Sequence, residues 1–209
     1  MIIESDAIEL LKGIEGSQNT VVITDPDWDA VYPWRTFLAQ CMKVTQMGTT
    51  VVMWNAAPKQ LHTLLDYAQD IEYTVKHIFP WAKPNGSQPT GWGLSRRWEA
   101  IVWFDNRPKR RGELKFLADV FTVPRITRVS REDLGHRWQK PRDLCEILIR
   151  GFSRPGDVVV DPFCGTGVIL AEAKARGRIP VGGDISAKWA AHAEALVSGT
   201  SLPRKGDLF

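Results

Sequence analysis

Two short runs of residues carry side chains whose types and spacing could do chemistry. The first, Asp161-Pro162-Phe163-Cys164-Gly165-Thr166-Gly167, follows an apolar β-branched run, and Asp184 closes the next such run twenty-three positions after Asp161. Glycines after a strand let the backbone approach a ligand closely, and an acid at the end of the following strand can accept hydrogen bonds from ribose hydroxyls, so the pair predicts a nucleoside ligand. Gly165-x-Gly167 alone fits a tight turn as well. Position 170 is Leu where a dinucleotide fingerprint needs Gly or Ala, which removes the third anchor of a hydride-transfer enzyme. The second run, Asp25-Pro26-Asp27-Trp28, places a carboxylate and an aromatic face around a proline; by itself it also fits a strand-ending turn with Trp28 in the core. No cysteine follows a proline, as the thiolate of ring-carbon methylation does, and Cys164 lies inside the glycine loop. His62, His77, His136 and His192 lack metal-ligand spacing and no C-x-x-C pair is present, so no metal is expected.

These residues need a scaffold that brings them together. Residues 1–4 are a short apolar run, Ala7 to Ile14 repeats apolar residues at helical spacing, and Val21-Val22-Ile23 reads as a buried parallel strand ended by Asp25-Pro26. Helical patterns follow at Trp34–Val44 and Pro58–Ala68, with a strand between them at Thr49–Trp54. Glu72–Trp81 and Trp98–Phe104 read as antiparallel strands joined by the Gly/Pro/Asn-rich segment 83–95. Residues 105–140 are basic with little periodicity and read as a loop or small appended module. A helix at Arg142–Phe152, a strand at Val158–Val160, a loop into a helix at Gly165–Arg176 and a strand at Ile179–Gly183 complete the pattern. The alternation predicts an α/β fold with a doubly wound, mostly parallel sheet and one antiparallel hairpin. Such sheets bind ligands at the carboxyl ends of their strands, so Asp25, Asp161 and Asp184 are expected to face one crevice.

The 209 residues, 44% hydrophobic and 24% charged, suit one domain over 1–209 and exclude disordered, collagen-like and disulfide-scaffold classes. No stretch approaches the roughly 18–20 apolar residues of a membrane span, the start lacks a signal-peptide pattern, and three cysteines (Cys41, Cys145, Cys164) fit a reducing compartment; a soluble, cytoplasmic protein without a membrane partner is expected. The net charge of +3 is unevenly spread: Lys76 to Arg142 holds fifteen basic and six acidic residues, leaving the remainder acidic. Such a basic middle suits either a polyanion partner or a solvated face. Trp81, Trp92, Trp98 and Trp103 share this region and could supply core or base-stacking surfaces.

Together these residues resemble the DNA amino-methyltransferases that use S-adenosylmethionine. Asp161 to Gly167 is similar to that family's D-P-F-x-G-x-G cofactor motif, Gly183-Asp184-Ile185 to its acidic strand end, and His136 to Pro141 to its H-P-x-Q-K-P segment, which helps hold the methionine end. Ser5-Asp6-Ala7 resembles its G-D-[AC] element near the cofactor adenine, and Thr24 to Trp28 its catalytic [DSN]-P-P-[YFW]. The order of these elements resembles the circularly permuted beta branch. RNA adenine methyltransferases with a Pro-Pro-Trp turn share the tryptophan but not Gln139-Lys140-Pro141.

The resemblance implies a Rossmann-like methyltransferase fold, S-adenosyl-L-methionine as cofactor and double-stranded DNA as partner. It implies catalytic Asp25, Pro26, Asp27 and Trp28, and cofactor contacts from Asp6, Ala7, Lys140, Asp161, Phe163, Cys164, Gly165, Thr166, Gly167, Asp184 and Ile185. Recognition is expected in a basic insertion at about 83–131, with Arg96, Arg97, Arg107, Lys109, Arg110 and Arg111 on DNA. The chemistry supports the tetrad independently. A base amine is a poor nucleophile because its lone pair is delocalised, and acceptors such as the Asp25 carboxylate and a carbonyl of the Pro26-Asp27 turn would concentrate electron density on nitrogen. The base must leave the stack, and Trp28 would receive it. Asp at position 25 favours N6 of adenine in this family, with N4 of cytosine as the alternative. Three departures stand out: Asp27 replaces the second proline, Ser5 replaces Gly, and Arg137-Trp138 replace Pro and a small residue. The first keeps open a catalytically impaired module that binds cofactor and DNA. The short tail 199–209 ends in Leu208-Phe209, which resembles the peptide that docks bacterial proteins on the replication sliding clamp.

Overall fold

Strand β2 (Thr20–Thr24) has every residue buried, the signature of a central parallel strand covered on both faces. The computed structural model describes residues 1–26, 31–54, 58–85, 97–107, 112–113, 117–126 and 139–199. Around β2 are assembled β1 (Ile2–Glu4), β3 (Thr50–Trp54), β4 (Val75–Ala82), β5 (Trp98–Phe104), β6 (Phe121–Thr122), β7 (Val158–Asp161) and β8 (Ile179–Asp184). They form one eight-stranded sheet in the order β1-β8-β7-β2-β3-β5-β4-β6. Every pairing is parallel except those of β5, which runs antiparallel to both β3 and β4.

Helices cover both faces. On one side α1 (Ala7–Lys12), α2 (Trp34–Val44) and α3 (Pro58–Asp70) bury Leu11, Phe37, Leu38 and Leu64 against Val22, Val52, Val102 and Val160. On the other, α4 (Arg142–Phe152) and α5 (Val168–Ala175) bury Leu144, Leu148, Phe152 and Ile169 against Val21, Ile23, Val51, Ile101 and Val159. The alternation of Val21 and Val22, or Ile101 and Val102, between these clusters is the period-two pattern of a strand buried on both faces. The doubly wound α/β architecture agrees with expectation.

Two features depart from it. Helix α6 (Ala187–Ser198) was not expected; it packs Ala193 and Val197 on Leu170 and Cys164, and its small apolar residues make a weak stripe in sequence. Strand β6 has two residues, too few for a periodicity to register. Within the expected insertion at 83–131, the expected strand is β5, whose Ala100, Ile101, Val102 and Phe104 are fully buried in the sheet.

Candidate active site

The carboxyl ends of the parallel strands meet along one edge. Asp184, the last residue of β8, accepts from Gly165 N through Oδ2 (3.0 Å) and from Ser186 N through Oδ1 (2.9 Å). Cys164 N donates to Gly183 O (2.9 Å), and Ser5 N to Asp184 O (3.0 Å), so the turns after β7, β8 and β1 form one connected rim. Gly167 opens α5 at φ +79°, and a Cβ there would stand 2.7 Å from Ala193 Cα. The residue must be glycine both to turn the chain and to let α6 approach.

Asp6 ends β1's turn and caps α1: its Oδ1 accepts from Ile8 N (2.8 Å) and Glu9 N (3.3 Å). Its Oδ2 accepts from the Tyr32 hydroxyl (3.2 Å). Burial, with Asp6 nearby, pushes the Tyr32 phenol far above its ordinary value, so it stays a donor. The Tyr32 ring belongs to a cluster with Trp34, Phe37 and Phe163, the last at 5.6 Å from Tyr32 and 5.4 Å from Phe37.

Between the rim and β2 lies Asp161. Thr24 Oγ1 donates to its Oδ1 (2.7 Å), as does Phe163 N (3.3 Å), while its Oδ2 is buried with no partner among the described residues. Burial pushes this carboxyl up to about 7, against those two hydrogen bonds and with Asp25 and Asp184 adding to the rise.

Asp25 follows β2 on the same edge, and Lys140 Nζ lies 2.8 Å from its Oδ2. The same ammonium is 3.4 Å from Glu99 Oε2 at the start of β5, and Lys83 Nζ is 2.7 Å from Glu99 Oε1 at the end of β4. Burial alone would lower Lys140, but Asp25 and Glu99 outweigh it and hold the ammonium above its ordinary range. Burial opposes charge on Glu99 too, and Lys140 and Lys83 hold it below its ordinary value. The Trp81 ring carries both ammoniums, at 5.6 Å from Lys140 and 5.5 Å from Lys83, and its Nε1 donates to Val123 O (2.8 Å).

The structure therefore brings Asp25, Asp161 and Asp184 to one edge, with Pro26, Lys140 and the 163–167 loop. Other expected residues sit differently. Ala7, Cys164 and Thr166 are buried, whereas Ile185 is 78% exposed at the rim. Lys140, expected to help hold the methionine end of a cofactor, lies against Asp25. Arg107, expected on DNA, is at the opposite edge, at the amino ends of β2 and β3. There it donates to Gln18 O (2.9 Å) and Thr49 Oγ1 (3.1 Å) and pairs with buried Asp105. Arg97 is exposed on the crevice edge, next to Trp98, which is 41% exposed while Trp81 is buried. Asp27, Trp28, Trp92, Arg96, Lys109, Arg110, Arg111, His136, Arg137, Trp138, Leu208 and Phe209 lie outside the described residues. Glu99, Lys83, Thr24 and Tyr32 escaped sequence reasoning as site residues; the signal for Glu99 was a carboxylate beside an otherwise apolar strand. Among the described residues no group of three or more metal-binding side chains gathers, and no helix is long and apolar enough to cross a membrane.

Residues 29–195 match the DNA methylase family of N6/N4 enzymes. The chain belongs to this family. It is 22% identical to the Type II methyltransferase M.BglII of Bacillus subtilis over 95% of this chain and 69% of that one. It is 34% identical to the DNA adenine methyltransferase YhdJ of Escherichia coli K12, over 43% of this chain and 30% of that one. The fold is similar to the M1.HpyAVI–SAM complex (TM-score 0.72, 21% identity, 94% of this chain and 98% of that one). It also resembles the cytosine-N4-specific PvuII DNA methyltransferase (TM-score 0.77, 15% identity, 94% and 86%).

An N6/N4 DNA methylase uses S-adenosylmethionine, whose sulfonium supplies an electrophilic methyl group when bound. The crevice fits such a group: the buried Asp161 Oδ2 is an acceptor with no donor among the described residues, and Gly165 and Gly167, both at positive φ, turn the chain in the loop that follows it.

Proposed function

We propose that this DNA methylase transfers the methyl group to the exocyclic N6 of an adenine flipped out of double-stranded DNA. The observation that carries the reading is the Thr24–Asp161 hydrogen bond of 2.7 Å, which sets the Asp25 turn directly beside the cofactor loop. Asp25 would accept an amine hydrogen, a carbonyl of the Pro26-Asp27 turn the other, and Trp28 would stack on the base. Asp6, Asp161, Phe163, Gly165, Gly167, Asp184 and Ile185 would surround the cofactor, the acids facing its hydroxyls and positive groups. Arg97, exposed on the crevice edge, would meet phosphate. The Type II methyltransferases among the relatives support a role in restriction-modification.

Asp at position 25 and the likeness to YhdJ support adenine; the likeness to the PvuII enzyme supports N4-cytosine as the second reading. Incubation of duplex DNA with tritium-labelled cofactor, followed by digestion to nucleosides, tests the choice. Label in N6-methyladenine is expected. Label in N4-methylcytosine selects the second reading, and no label in either overturns both.

A further inference from the structure

The Asp25–Lys140–Glu99–Lys83 chain links four elements by their charged ends, and the established activity assigns no task to Glu99 or Lys83. Its members are enclosed: the side chains of Lys140, Asp25 and Glu99 are 10%, 17% and 24% exposed. Strand alternation explains the convergence. Ile23 and Ile101 lie on the α4 face of the sheet, so Asp25 and Glu99, each two positions away along its chain, emerge on that face, where Lys140 leads into α4. A lysine ammonium on a flexible four-carbon stem does not by itself fix a partner's orientation. Here two carboxylates and the Trp81 ring confine it, and Lys83 in turn confines Glu99 from the far side. A carboxylate that must accept a hydrogen bond from an incoming amine needs one rotamer, and a loose one would cost rate even with every contact group present.

We infer that Lys140 and Glu99 are a positioning pair for Asp25: Glu99 fixes Lys140, and Lys140 fixes the carboxylate that receives the target amine. This rests on the proposed role of Asp25 and deepens it. It moves Lys140 from the cofactor side of the crevice to the acceptor side, and it makes Glu99 a residue that acts through Lys140 without touching the base.

The test uses the full chain and the variants Lys140→Met, Lys140→Arg, Glu99→Gln and the Glu99→Gln/Lys140→Met double. Calorimetry gives S-adenosylmethionine affinity, and steady-state tritium transfer to duplex DNA gives kcat and KM. Lys140→Met is expected to lower kcat about 100-fold, and Glu99→Gln about tenfold, with KM for DNA and cofactor affinity within about twofold of wild type. Lys140→Arg should recover at least about tenfold of the lost kcat by restoring a cation. The double variant should be no slower than Lys140→Met, because Glu99 acts through Lys140. Weakened cofactor binding in Lys140→Met with kcat retained, or a Glu99→Gln protein that turns over like wild type, overturns the inference while leaving the proposed function intact. Thermal unfolding guards against misfolding: a Lys140→Met protein that has lost its fold leaves the conservative Glu99→Gln to decide by the same kcat criterion. A wild-type protein that transfers no methyl overturns both.

Discussion

Thr24 donates its hydroxyl to Asp161 Oδ1 across 2.7 Å, joining the last residue of β2 to the last residue of β7. The residues are 137 positions apart in the chain, yet the parallel register Thr20↔Val158, Val21↔Val159, Val22↔Val160 sets them beside each other. The turn that begins at Asp25 and the loop that begins at Asp161 thus share one hydrogen bond at the centre of the sheet. Thr24→Val removes the donor and leaves a buried carboxyl short of a partner, which costs about 1–3 kcal/mol. Urea denaturation should show this loss, and Thr24→Ser should recover most of it.

Asp161 also gives stability a pH dependence. Its carboxyl is raised from 3.8 to about 7 in the fold, chiefly by burial. Between those values the folded chain holds a proton that the unfolded chain has released, so this group's contribution falls as pH rises from about 4 to about 7 and is level above. Asp161→Asn keeps an acceptor for Thr24 and carries no charge. Its Tm relative to wild type is expected to be higher at pH 8 than at pH 4.5; an equal difference at both contradicts the assignment.

Gly167→Ala places a methyl group 2.7 Å from the Ala193 Cα, a backbone atom that cannot swing aside, at a φ of +79°. Overpacking and backbone strain add, for a loss of at least about 2 kcal/mol. Chemical denaturation should show it, with near-ultraviolet circular dichroism reporting a shifted α6 through Trp189.

The two arginines divide by place. Arg107→Ala should lower Tm, since it strips donors from Gln18 O, Thr49 and Asp105, and should leave DNA affinity unchanged. Arg97→Ala should do the reverse, weakening DNA binding and reducing its salt slope by about one. Fluorescence anisotropy with a labelled duplex at several salt concentrations, set beside thermal melts, separates them.

What sequence could and could not reveal follows from the range of each interaction. Val21–Ile23 and Val158–Val160 were readable because strands buried on both faces are continuous apolar runs, and Asp161 to Gly167 because turn chemistry is local. That placed three acids at strand ends on one edge. The pairing of Glu99 was not readable, since its partners Lys83 and Lys140 are set by the β4–β5 register and by how α4 approaches the sheet, which no local pattern specifies. The bonds of Arg107 were unreadable for the same reason: its basic neighbours in sequence suggested a phosphate contact, and nothing local indicated that its guanidinium reaches Gln18 and Thr49, 89 and 58 positions away. Helix α6 lacked a strong apolar stripe because the residues facing α5 and the sheet are mostly alanines.

The central claim is that Asp25, beside the cofactor loop, receives the amine of the target base. Single-turnover transfer of tritiated methyl to unmethylated duplex DNA, comparing wild type with Asp25→Ala at saturating cofactor, tests it directly. The account predicts label in DNA with wild type and a rate at least about 100-fold lower for Asp25→Ala, with cofactor affinity retained. An Asp25→Ala protein that methylates DNA at the wild-type rate contradicts it.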